Sequence, residues 1–130
     1  MKIPILKLKD ILLTSIQVDL MDEEALTFQS DVLTMVSKHE ALGVLIDITA
    51  LNVVDSFMAR VLNETATMAK LLGAQVVISG MQPSVAVTLV EMGRELVGVK
   101  TALNLENGLE MLEKSIASTA LSPMDKEEKD

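Results

Sequence analysis

This chain of 130 residues has no cysteine, tryptophan or tyrosine, and its aromatic content is limited to Phe28 and Phe57. Without cysteine there can be no disulfide, thiolate nucleophile or cysteine metal site, which excludes a disulfide-stapled secreted fold and makes the cytoplasm the expected compartment. With so few aromatics there is no stacking platform for single-stranded bases or sugars. One histidine, His39, is present. A transition-metal site would therefore have to be built from carboxylates, and none cluster convincingly in the sequence, so no metal or other cofactor is expected. The six glycines form neither G-x-G-x-x-G nor a phosphate loop ending in G-K-[ST], which removes both common routes to nucleotide binding. Long hydrophobic runs are also missing. None approaches the roughly 18 residues that a membrane span needs, and Met1-Lys-Ile-Pro4 does not open a signal-type apolar core, so a soluble chain without membrane contact is expected. Positive charge is scarce. Eleven Lys and Arg stand against 19 Asp and Glu, giving a net charge of −8, the wrong sign for counterion-driven binding to nucleic acid.

What is present is apolar mass: hydrophobic residues make up 49% of the chain, enough for one folded domain with one core. Ile3–Leu8 alternates apolar and polar positions, and Ile11–Ile16 follows as a second extended run, which predicts a β-hairpin. Leu26, Val32, Leu33 and Val36 then recur at helical spacing, predicting a helix over about Glu23–His39 with Asp22, Glu23 and Glu24 at the positive end of its dipole. His39 falls at the negative end of that dipole, where a structural role suffices. Val44–Ile48 is a short apolar run of the kind buried on both faces of a parallel sheet. A second helix is expected over Ser56–Leu72, with Gly73 as its stop, followed by a strand at Gln75–Ser79 and a helix opening at Pro83 and reaching about Met92. A weak strand at Val99–Leu103 and a helix at Leu105–Lys114 complete the order. Most of the nine methionines sit beside other apolar residues at helical spacing and are expected to fill the core. The predicted class is thus α/β, a mostly parallel sheet with an N-terminal antiparallel hairpin and about four helices. The folded domain is placed at residues 1–115, and the polar segment 116–130 is expected to be an acidic, mobile tail.

Functional groups in such sheets gather at the carboxyl ends of the strands, which singles out the loop Thr49–Ser56 leading into a helix. Ser15, Ser79 and Ser84 have no histidine assigned to activate them and no G-x-S-x-G elbow occurs, so catalysis is not expected. Asp47 interrupts an apolar strand and reads as a structural group at a strand end or as an acceptor for loop amides. Asp55 and Ser56 are both favoured helix N-cap residues, and simple capping accounts for them on spacing alone. A phosphoryl group on Ser56 would nevertheless matter, because it adds about −1.5 to −2 charges beside Asp55 and next to the apolar side chains of Phe57 and Met58.

Ile46-Asp-Ile-Thr49 followed by Val53-Val-Asp-Ser56 resembles the phosphorylatable segment of STAS domains, the anti-sigma-factor antagonist family, over residues 2 to about 114. Simple antagonists of that family follow the Asp-Ser pair with a small residue and glycine, whereas this chain continues Phe57-Met-Ala-Arg60. Lys2–Lys7, Ala25-Leu-Thr-Phe28, Asp55-Ser-Phe57 and Gly80–Leu89 resemble instead the single-domain stressosome scaffold of the same family. The resemblance implies a non-enzymatic binding protein in stress signal transduction. Such a scaffold coassembles with STAS sensor paralogues in a large cage-like complex, with self-association a further expectation, and it sequesters a serine switch kinase. The kinase phosphorylates the scaffold and is thereby released. By position the acceptor is Ser56, and Asp55, Phe57 and Met58 form the expected partner-binding surface around it. Sensor paralogues carry a further N-terminal domain, and with no room for one before Ile3 the scaffold rather than the sensor is the expectation. A stand-alone antagonist of an anti-sigma factor and a ligand-binding STAS module are the alternatives.

Overall fold

The computed structural model describes residues 2–92 and 99–120. Its elements follow the expected order: β1 (Ile5–Leu8), β2 (Ile11–Ser15), α1 (Asp22–His39), β3 (Gly43–Asp47), α2 (Ser56–Leu71), β4 (Gln75–Ser79), α3 (Pro83–Glu91), β5 (Lys100–Ala102) and α4 (Leu105–Ala120). The sheet has the order β1-β2-β3-β4-β5, with β1 antiparallel to β2 and the remaining neighbours parallel. Because the order of these strands never reverses, this sheet has no topological switch point of the kind that opens a nucleotide crevice in doubly wound folds.

The period of two along each strand divides the core. Leu12, Val44, Ile46, Val76 and Ile78 face one layer, where Phe28, Val32 and Val36 of α1, Val61, Leu62 and Ala66 of α2, and Val85 and Leu89 of α3 bury them. Ile11, Leu45 and Val77 face the other way and are covered by α4 through Leu112, with Leu109 and Ile116 packed beside it. β3 is buried at every position because it lies between these layers and between two strands. Gly108 sets the depth of α4, since a Cβ there would lie 2.7 Å from Leu45 Cδ1.

Three local expectations are revised. The buried stripe of α1 is Ala25, Phe28, Val32 and Val36, and Leu26 is 48% exposed because one residue further round the helix is about 100° off that stripe. Of the described methionines only Met58 is buried, whereas Met35, Met68, Met81 and Met92 are half-buried and Met21 and Met111 exposed, so methionine works mainly at the margins of the core. Finally, α4 continues beyond Lys114 to Ala120, with Ile116 reaching the second core layer. Of the expected tail 116–130, residues 121–130 lie outside the described residues.

Candidate functional site

The carboxyl ends of β2, β3 and β4 meet at one edge of the sheet, and the registers place Ser15, Asp47 and Ser79 side by side there. Asp47 is buried, and its carboxylate is satisfied from several directions. Oδ1 accepts from Ser79 Oγ at 2.8 Å and from Thr49 Oγ1 at 2.9 Å, while Oδ2 accepts weaker bonds from Ser15 Oγ and the Thr49 N–H at 3.4 Å. This is the structural role read for Asp47: the carboxylate ties three strand ends together and fixes the start of the following loop. The ladders persist past the strands, because the Ile16 N–H donates to the Asp47 carbonyl at 3.0 Å and the Ile48 N–H to the Ser79 carbonyl at 2.9 Å.

From that anchor the chain runs through Thr49–Val54 to α2. Leu51 and Val54 turn into the core, and Asn52 and Val53 face solvent. Two side chains from the start of α3 hold the loop from the other side. Gln82 Nε2 donates to the Thr49 carbonyl at 2.8 Å, and Ser84 Oγ donates to the Asn52 carbonyl at 2.8 Å. Gly80 permits this proximity: its φ is +74°, and a Cβ would sit 1.9 Å from Thr49 Oγ1. Sequence reasoning assigned Gln82 and Ser84 no role. The only local signal was Pro83 at the first helical position, which makes Gln82 the N-cap residue of α3.

The four residues expected at the switch lie together at the start of α2 but present different surfaces. Asp55 is the N-cap, and its Oδ1 accepts from the Met58 N–H at 2.8 Å. Ser56 is the first helical residue, exposed, and its hydroxyl makes no hydrogen bond among the described residues. Of the two capping candidates, then, Asp55 does the capping and Ser56 is left free. Phe57 is half-buried against the main core, and the Arg60 guanidinium lies over its ring, 5.2 Å from the centroid. Met58 is 8% exposed and lies beneath that surface. It reaches a depression of about 210 Å³ lined also by Ile16, Asp19, Leu51, Val53 and Asp55. Among the described residues no three His, Asp or Glu side chains converge in a way that could hold a metal ion, and no helix is long and apolar enough to cross a membrane.

The family model of the STAS domain matches residues 2–107. The chain belongs to the STAS domain family. The five-stranded mixed sheet and four helices among the described residues are that fold. Among relatives, the RsbT co-antagonist protein RsbRA of Bacillus subtilis (strain 168) is 35% identical over 100 residues, covering 74% of this chain and 36% of the relative. RsbRD of the same organism, also an RsbT co-antagonist protein, is 32% identical over 85 residues, covering 65% of this chain and 31% of the relative. This STAS chain thus spans about a third of the length of the curated relatives it matches. Among solved structures, a serine-to-glutamate variant of Moorella thermoacetica RsbS is 40% identical with a TM-score of 0.81, covering 90% of this chain and 99% of that one. A chain from a structure of the molecular architecture of the stressosome, described as a signal integration and transduction hub, is 44% identical with a TM-score of 0.77, covering 86% and 97%.

Proposed function

We propose that this STAS domain is a stressosome scaffold subunit that coassembles with STAS sensor paralogues in a large complex, sequesters a serine switch kinase in the cytoplasm and releases it when Ser56 is phosphorylated. The likeness to RsbS and to a stressosome chain supports the assembly role. The observation that carries the switch is the exposed Ser56 hydroxyl, which makes no hydrogen bond among the described residues and sits at the first turn of α2 while Asp55 caps the helix. A kinase can reach that hydroxyl without unfolding the domain, and the group it modifies has no bond to lose.

Phosphate at this position gains from the α2 dipole and its first N–H groups but stands next to the Asp55 carboxylate. The added charge of about −1.5 to −2 also raises the desolvation cost of any partner contact made through Phe57 and the rim around Met58. The modification therefore acts on binding more than on folding. In this reading the domain itself catalyses nothing and needs no cofactor; its chemistry is to be a substrate.

The test is to measure the affinity of a serine switch kinase for the wild-type chain, Ser56→Ala, Ser56→Asp and the phosphorylated chain, with mass spectrometry locating the phosphate and circular dichroism checking the fold. Ser56→Ala is expected to bind like wild type but not to be released by ATP. Ser56→Asp is expected to bind more weakly, and the phosphorylated chain most weakly. A folded, phosphorylated chain that binds as tightly as wild type would sink the switch. Size-exclusion chromatography with STAS sensor paralogues distinguishes a large particle from the small complex of a stand-alone antagonist.

A further inference from the structure

We infer that Gln82 and Ser84, at the start of α3, are positioning residues that latch the β3–α2 loop in the shape a partner recognises beside Ser56. The inference rests on the proposed switch at Ser56 and adds the residues that keep its surroundings ordered. The loop segment between the buried anchors Leu51 and Val54 carries Asn52 and Val53 into solvent, and Val53 is 75% exposed. Burial alone does not fix such a segment. Its backbone is held from outside by the Ser84 hydroxyl on the Asn52 carbonyl and, nearer β3, by the Gln82 amide on the Thr49 carbonyl, both at 2.8 Å. Each bond spans more than thirty residues of sequence, so neither is a by-product of local turn geometry.

The placement of the two donors is itself constrained. Gly80 has a positive φ and lies against Thr49, which brings the start of α3 within reach of the loop. Pro83 opens the helix, so Gln82 and Ser84 flank a backbone already restricted at φ. Donors carried at a helix start hold the loop before any partner arrives, and a partner then meets an ordered surface instead of ordering it on contact. Freeing the equivalent of one ordered residue corresponds to about five- to thirtyfold in affinity.

The experiment compares wild type, Gln82→Ala, Ser84→Ala, the double variant and Ser84→Thr, each shown folded by circular dichroism. Backbone ¹⁵N relaxation of Ala50, Asn52 and Val53 reports the loop, and serine switch kinase affinity reports its consequence. The double variant is expected to lower the order parameters of these three residues from about 0.85 toward 0.6 while leaving α1 and α2 rigid, and to weaken kinase binding about fivefold or more. Ser84→Thr, which keeps a hydroxyl donor, is expected to behave like wild type in both measurements. Unchanged loop relaxation in the double variant overturns the latch, and so does a loosened loop with wild-type kinase affinity. If the wild-type chain takes no phosphate on Ser56 and binds no kinase, the switch reading fails on its own account, and the relaxation data still decide whether Gln82 and Ser84 order the loop.

Discussion

Asp55 and Ser56 are neighbours with separate tasks. The Asp55 carboxylate closes the first turn of α2 on the Met58 N–H, whereas the Ser56 side chain is exposed and makes no hydrogen bond among the described residues. Their alanine variants are therefore expected to differ. Asp55→Ala loses a cap and is expected to cost about 0.5–2 kcal/mol in urea denaturation. Ser56→Ala is an exposed change away from any bond and is expected to stay within about 0.5 kcal/mol of wild type. A Ser56→Ala loss as large as that of Asp55→Ala would mean that the hydroxyl shares the cap. The sequence identified both residues as capping candidates and could not divide the work, because cap geometry depends on where the helix starts to within one residue.

Among the elements, α4 stands apart, since among the described residues it alone covers the second face of the sheet. Its hold depends on Leu112, fully buried against Ile11, Leu45 and Val77, and on Gly108, where the helix meets Leu45. Leu112→Ala is expected to cost about 2–5 kcal/mol. Leu26→Ala on α1, half-exposed and outside the buried stripe, is expected to change stability by less than about 0.5 kcal/mol, although both residues recur at helical spacing in the sequence. Equal losses in chemical denaturation would contradict the two-layer core. Periodicity reveals that a helix has an apolar face. It does not reveal which leucine at the edge of that face the neighbouring element reaches, and Leu26 is the case where the two diverge.

For the whole molecule, the domain end expected at residue 115 is testable through Ile116, which packs beside Leu112 while the chain around it is largely exposed. A chain ending at Ser115 is expected to fold but to melt below one ending at Ala120, by about 4–8 °C for each kcal/mol that Ile116 contributes. The chain ending at Ala120 is expected to melt within a few degrees of full length. Identical melting of all three in scanning calorimetry would assign Ile116 no share in the core. Much of this molecule was determined by the sequence alone. The element order, the parallel sheet with its leading hairpin and the place of Ser56 at the head of α2 follow from periodicities and from turn and cap residues, all of which act over a few neighbours in the chain. The union of Ser15, Asp47 and Ser79, the assignment of the cap to Asp55, the burial of Met58 and the clasp of Gln82 and Ser84 on the loop after β3 were decided only by the tertiary structure. Except for the cap, these contacts join segments that strand register and helix packing bring together, and no local pattern encodes a hydrogen bond between residues more than thirty positions apart.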